Sequence, residues 1–121
     1  MELKEQKFGI EIEMTGITRA KAAEVTAEYF GTRVKYLGTY YDTYAAIDTE
    51  GRQWKFMSDS SIHTERKVNG SRVNADVEYQ TEMVSPICRY EDIVTIQEII
   101  RKLKELSLIH ISEPTRLDVI S

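Results

Sequence analysis

The stretch from Lys7 to Thr15 alternates polar and apolar side chains with a period of two, which predicts a strand buried on one side. Gly16 ends the alternation. The chain is therefore expected to build a sheet with one apolar face and one face that bears acids. The predicted acidic face carries Gly9, Glu11, Glu13 and Thr15, and the apolar face carries Ile10, Ile12 and Met14.

The two glutamates on this strand have two interpretations. Carboxylates are costly on a covered face because desolvation disfavours their charged form, and a divalent cation bound by their oxygens removes that cost. An antiparallel sheet can also keep one face in water, where such a pair needs no partner. The Glu-x-Glu pattern by itself leaves both interpretations open.

The remaining pattern predicts two helices and several short strands. Thr18 is expected to cap an Ala- and Glu-rich helix that ends at Gly31, and residues 91–105 carry isoleucines at helical spacing. Aromatic and β-branched segments predict two strands within 32–48, a hairpin turn over 49–52, a strand after it and another over 76–84. The polar residues 60–74 predict a loop. This order predicts an α+β fold with a mostly antiparallel sheet.

Composition places the chain among globular proteins and excludes several classes. Its 121 residues bound it to one domain, and it has no apolar run near the ~20 residues that span a bilayer. The amino terminus shows no secretory signal, and one cysteine excludes a disulfide framework or a Cys-based zinc site, so a reducing cytoplasm is expected. A net charge of −4 without a basic stripe argues against a nucleic-acid partner.

A second predicted strand supplies a third acid. In DVEYQTEMV, Glu82 shares a face with Glu78 and Gln80, and Ser85-Pro86 follows at the end of the strand. This third acid strengthens the prediction that the Glu-x-Glu pair binds a metal ion, because metal sites use several carboxylates.

The segment QWKFMSDSSI adds a base and a fourth acid. Lys55 shares a face with Gln53 and Met57, and Asp59 follows where the strand ends. An aspartate followed by serines is also typical of an ordinary turn, and a lysine on an edge strand is often solvated. Both interpretations stay open for these two residues.

In this order, and followed by a helix, GIEIEMTG, WKFMSDSSI and TEMVSPI resemble segments of the amidoligase family. The resemblance extends over about residues 8–105 and corresponds to the N-terminal part of a family member. That family is similar in fold to glutamine synthetase and glutamate–cysteine ligase. The resemblance therefore implies a partial, curved, mostly antiparallel sheet with helices on one face. It also implies ATP-dependent joining of a carboxylate to an amine, with small-molecule or peptide substrates and no nucleic acid or membrane partner.

The same resemblance implies roles for particular residues. Glu11, Glu13 and Glu82 match the family's acidic positions and are implied to bind Mg²⁺ or Mn²⁺. Asp59 matches the acid of a DxS element and is implied as a catalytic residue that binds metal or orients the amine. Lys55 is implied to contact the phosphates of ATP. This chemistry needs divalent ions to neutralise the phosphates.

Two further reactive side chains are expected to be unrelated to the site. His63 lies in the polar stretch and is interpreted as a surface residue. Cys88 follows the Ser-Pro element and is interpreted as a small buried apolar residue, not a nucleophile.

The end of the chain resembles a laboratory sequence. Leu106 to Arg116 match, residue for residue, the translation of a transposase-type sequencing-library adapter, and 117–121 fit its index and the bases that follow. The alternative is a natural tail. On the first interpretation, residues 1–105 are the N-terminal part of a catalytic domain and 106–121 are a non-native tail, so His110 carries no functional information. We then expect the chain itself to be inactive, because later segments complete the nucleotide site.

Two other functions remain open at this level. One is a non-enzymatic module of a phage or mobile element whose acidic sheet binds a metal or a protein. The other is a hydrolase or phosphotransferase that uses the same carboxylates. Nucleotide turnover that requires both a divalent cation and an amine acceptor would separate a ligase from both.

Overall fold

A computed structural model describes residues 6–58, 79–111 and 115–116. Within them the chain forms two α-helices, α1 (Arg19–Phe30) and α2 (Ile93–Lys104), and a 3-10 turn, Tyr90–Asp92, leads into α2. The strands are β1 (Lys7–Gly9), β2 (Glu11–Thr15), β3 (Val34–Gly38), β4 (Thr43–Ile47), β5 (Gln53–Met57), β6 (Gln80–Val84), β7 (Cys88–Arg89), β8 (Leu108–Ile111) and β9 (Thr115–Arg116).

Six strands form the main sheet of the described residues. Their spatial order is β3-β4-β5-β6-β2-β8, and each neighbouring pair is antiparallel. A smaller antiparallel sheet has the order β7-β1-β9. The predicted α+β fold with a mostly antiparallel sheet is confirmed.

Both helices pack on the same face of the main sheet because they share one apolar core with it. The side of α1 that meets the strands is built from alanines, which lets the helix lie close to the sheet. In the described part of the chain, neither helix has the length and apolarity needed to cross a membrane. The core joins Ile12, Met14, Trp54, Phe56 and Met83 of the sheet to Ala22, Ala23 and Ala27 of α1 and Ile96, Ile99 and Leu103 of α2.

The limits of α1 follow the predicted caps. The Thr18 hydroxyl oxygen accepts the N–H of Lys21 at 3.1 Å, which satisfies one of the unpaired donors of the first turn. Gly31 has φ of 74°, a left-handed conformation that costs little only for glycine. Its N–H donates to the carbonyl of Glu28 at 3.1 Å and closes the helix.

The predicted strand over 7–15 divides into two strands at Ile10. β1 belongs to the small sheet and β2 to the main sheet. Phe8 faces Cys88, whereas Glu11 faces Val84, so two residues on one side oppose the three residues 85–87 on the other. The extra residue defines a β-bulge over 85–87, which we call the Ser85 bulge. The prediction of one continuous strand was wrong because apolar alternation carries no signal for a change of sheet.

The other predicted elements agree with the structure where it describes them. The two strands within 32–48 are β3 and β4, and the tight turn over 49–52 leads to β5, with Gly51 at φ of 85°. β6 is the described part of the predicted strand over 76–84, whose residues 76–78 lie outside the described residues. The predicted loop over 60–74 also lies outside them.

Part of the predicted non-native tail pairs with the sheets. β8 runs antiparallel beside β2, and Ile109 packs against the core next to Met14. β9 pairs with β1. Strand pairing uses backbone groups and does not report where a sequence came from, so the predicted boundary after Glu105 stays a prediction.

A shielded ion network joins the β4–β5 turn to the start of α2. The Arg52 guanidinium donates to both carboxylate oxygens of Asp92 at 2.9 and 3.0 Å and to Asp48 at 2.8 Å. Asp48 also accepts the indole N–H of Trp54 at 2.9 Å. The carboxylates raise the pKa of Arg52 well above its usual range, chiefly through the hydrogen bonds with Asp92. The network therefore fixes the turn against the segment that follows the Ser85 bulge.

Candidate metal centre

The face of the main sheet away from α1 and α2 carries three of the predicted acids. Along β2, every second side chain lies in the core beneath the helices, which leaves Glu11 and Glu13 exposed on the other side. The same alternation along β6 buries Thr81 and Met83 and directs Glu82 to the side of Glu11 and Glu13. We call this side, defined by Glu11, Glu13 and Glu82, the carboxylate face.

Glu13 and Glu82 are direct cross-strand partners. The N–H of Ser85 donates to the carbonyl of Ile10 at 3.0 Å, so that pair belongs to the hydrogen-bonded class. Hydrogen-bonded and non-hydrogen-bonded pairs alternate along an antiparallel ladder, which puts Glu13 and Glu82 in the second class. Cα atoms of such pairs lie about 4.5 Å apart, and their side chains are the closer ones. The backbone therefore brings these two carboxylates together.

Glu11 and Lys55 flank this pair. Glu11 faces Val84, which makes it a diagonal neighbour of Glu82, at a Cα separation of about 7–8 Å in typical sheets. Lys55 of β5 faces Val84 from the other side and is half-buried on the carboxylate face, so it is also diagonal to Glu82. Three acids and one base thus surround one short stretch of β6.

Two carboxylates of like charge lie opposite each other in this pair. Like charges directly opposite on a sheet destabilise it, by up to about 1 kcal/mol. Glu82 also takes part in an interaction with another group. Among residues 6–58, 79–111 and 115–116, no three His, Cys, Asp or Glu side chains are gathered into a set that could hold a metal ion. A cation would therefore require these side chains to converge, and their oxygen donors suit Mg²⁺ or Mn²⁺.

Three other residues were singled out in the sequence. Asp59 and His63 are outside the described residues, so their predicted roles stay predictions. Cys88 is fully buried in the core cluster, which confirms its interpretation as a small apolar residue. Burial raises the pKa of the Cys88 thiol, which disfavours the reactive thiolate.

Sequence reasoning missed the contacts of Ser85. The residue was singled out only as part of a motif that ends a strand, yet its hydroxyl accepts the N–H of Ile10 at 2.9 Å. A serine before a proline at the end of an acidic strand is a signal for a bulge, because proline has no N–H for the ladder. That signal was present but does not identify the partner strand.

Comparison with known families gives one finding. A family model described as "Putative amidoligase enzyme" matches residues 4–115, which is most of the chain. Comparison with curated proteins and with solved structures gives no match. The match runs from before β1 to the first residue of β9 and includes the carboxylate face.

Proposed function

This chain belongs to the amidoligase family, and we propose that its carboxylate face is the metal-binding wall of an ATP-dependent carboxylate–amine ligase. The direct opposition of Glu13 and Glu82 on adjacent strands carries the proposal. Carboxylate oxygens brought together on one face of a sheet are the ligands that a divalent cation such as Mg²⁺ prefers. Family membership supports the reaction class, and the pair supports the metal.

Glu11, Glu13 and Glu82 are the residues that would hold Mg²⁺ or Mn²⁺. Bound there, the ion supplies positive charge that neutralises the phosphates of ATP. Lys55 is proposed to contact a phosphate oxygen, because its position diagonal to Glu82 puts an ammonium beside the acids. Asp59 follows β5 by two residues and is proposed to bind metal or to orient the amine.

The proposed reaction has two steps. An oxygen of the substrate carboxylate attacks the γ-phosphorus of ATP, the bond to the bridging oxygen breaks, and ADP leaves with that electron pair. The amine nitrogen of the second substrate then attacks the carbonyl carbon of the acyl phosphate. Phosphate leaves, the nitrogen loses a proton, and an amide remains. Charge neutralisation and orientation are the contributions asked of the protein.

Metal binding is the first test, because it needs neither substrate. We expect Mn²⁺, followed by electron paramagnetic resonance, to bind the 121-residue chain. Glu13→Gln and Glu82→Gln should each weaken binding at least about tenfold, which is 1.4 kcal/mol. Glu24→Gln is the matched control, because Glu24 is an exposed carboxylate on α1, away from the carboxylate face. Equal affinity in all three variants, or no binding to the unaltered chain, would contradict the metal centre.

Turnover is the second test and uses the complete reading frame recovered from intact genomic DNA. A ligase should release ADP and phosphate only when a divalent cation and an amine acceptor are both present, and Glu11→Gln should abolish that release. A binding module would show no turnover. We expect the 121-residue chain alone to form no amide, and measurable amide formation by it would overturn that expectation.

A further inference from the structure

We propose that Ser85 is a positioning residue that fixes the direction of Glu11, an inference that rests on the metal centre proposed above. The Ser85 hydroxyl accepts the N–H of Ile10 at 2.9 Å, and the Ser85 N–H donates to the carbonyl of Ile10 at 3.0 Å. Both backbone groups of the residue before Glu11 are therefore held by one serine.

The hydroxyl takes the place of a backbone acceptor that the bulge displaces. In a regular ladder, the Ile10 N–H would donate to a backbone carbonyl of β6 or β7. The Ser85 bulge shifts the register there by one residue, and the hydroxyl oxygen fills the gap. The same hydroxyl donates to the Pro86 carbonyl at 2.8 Å, which fixes its rotamer. The serine thus closes the ladder at the end where Glu11 lies.

The position of the bulge links this contact to the acids. Ser85 directly follows β6 and lies three residues after Glu82, and Ile10 directly precedes β2, which begins at Glu11. Without the hydroxyl, the first pair of the main ladder loses one of its two bonds, and fraying would begin beside Glu11. A cation that needs the carboxylates to converge would then bind to a less ordered set, at a higher entropic cost.

Amide hydrogen exchange tests the hydrogen bond between Ile10 and the Ser85 hydroxyl in the absence of any metal. In Ser85→Ala, we expect exchange at Ile10 and Ile12, which bracket Glu11 in the β6 ladder, to speed up about five- to tenfold. Gly16 is the internal control, because its N–H donates to the Tyr79 carbonyl at the far end of the same ladder and should be unaffected. Ser85→Thr keeps the hydroxyl and should restore slow exchange.

Mn²⁺ affinity measures how loss of the Ser85 hydroxyl affects the carboxylate face. We expect Ser85→Ala to weaken Mn²⁺ binding about three- to tenfold and Ser85→Thr to recover it. Thr81→Val is the matched control, because the Thr81 hydroxyl donates to the Ile17 carbonyl at 2.9 Å on the helix side of the same strand. It should lower the free energy of unfolding by a similar amount and leave Mn²⁺ affinity unchanged.

The outcomes separate this inference from the proposed function. Unchanged exchange at Ile10 in Ser85→Ala would overturn it, as would equal losses of affinity in Ser85→Ala and Thr81→Val. Exchange that rises without any loss of affinity would also overturn it. If the unaltered chain binds no Mn²⁺, the metal centre fails. The positioning of Glu11 is then decided by whether exchange rises at Ile10 and Ile12 but not at Gly16.

Discussion

Replacing Arg52 by methionine tests how strongly the ion network stabilises the fold. The substitution keeps an unbranched side chain but removes two hydrogen bonds to Asp92 and one to Asp48. The side chains of Asp48 and Asp92 are only 3% and 10% exposed, whereas that of Arg52 is 25% exposed. Two shielded carboxylates would then be left without a cation.

The expected loss follows from this burial. Removing one partner of a fully buried ion pair costs about 3–5 kcal/mol. Arg52 is partly exposed, and Asp48 keeps the indole N–H of Trp54 and the N–H of Glu50, which argues for the lower end of that range. We therefore expect the free energy of unfolding to fall by about 3 kcal/mol, or the Tm by about 10 °C in a domain of this size.

Urea unfolding followed by fluorescence measures the change directly. Trp54 is the single tryptophan of the chain and is fully buried, so its emission reports on this part of the core. Arg52→Met should lower the midpoint without changing the slope. Arg101→Met is the control, because the pair that Arg101 forms with Glu98 is exposed and should be worth less than about 1 kcal/mol.

The pH dependence of stability independently checks whether Asp48 and Asp92 stabilise the fold in their charged form. Burial would raise the pKa of Asp48, but hydrogen bonds from Trp54 and the turn backbone, with the charge of Arg52, outweigh it and lower that pKa. Hydrogen bonds from Arg52 lower the pKa of Asp92 despite its burial. Both carboxylates therefore contribute full stability above their unfolded pKa of about 4 and lose it as the pH falls through their lower folded values. Arg52→Met raises the folded pKa of both carboxylates, so the mutant should lose less stability than the unaltered chain as the pH falls below about 4.

Two results would refute this reasoning. One is a loss of less than about 1 kcal/mol in Arg52→Met, which would mean that the network breaks even against an apolar side chain. The other is full stability in Arg52→Lys, because a lysine keeps the charge but lacks the planar fork that bonds both oxygens of Asp92.

Three further changes test the two ends of α1 and the edge of the main sheet. Thr18→Ala removes the acceptor of the Lys21 N–H and should cost about 1 kcal/mol in urea unfolding. Gly31→Ala should cost about 1 kcal/mol, measured the same way, because its φ of 74° disfavours a side chain even where the space for one is open. Truncation after Glu105 removes β8 and uncovers the edge of β2, so analytical ultracentrifugation should show self-association that the longer chain lacks.

Local signals predicted most of the fold. The caps at Thr18 and Gly31, the strands β3 to β5 and the separation of Glu11 and Glu13 from the core all follow from the spacing of residue types. These features depend on neighbours within a few residues, which a sequence pattern records. Which side chains of β2 and of β6 share a face was predictable for the same reason.

Features that join distant segments were not predictable from the pattern. The sequence put Glu13 and Glu82 on acidic faces but carried no register, so their direct opposition appears only in the structure. The network around Arg52 and the contact of Ser85 with Ile10 likewise join segments far apart in the chain.

The Ser85 bulge constrains the number of residues between β6 and β7 more than it constrains the exposed side chain of Ile87. The β1–β7 pairing and the β2–β6 pairing differ in register by one residue. Removing one residue from 85–87 would give both pairings the same register, and strand side chains alternate between faces, so one strand would have to turn over. If the main sheet moved to absorb that change, Glu82 would turn towards the helices and Met83 towards water. A substitution at Ile87, which is 57% exposed, changes only surface, whereas a single deletion beside it inverts a strand. Variants of this protein should therefore accept a new residue at Ile87 far more readily than a change in the number of residues between β6 and β7.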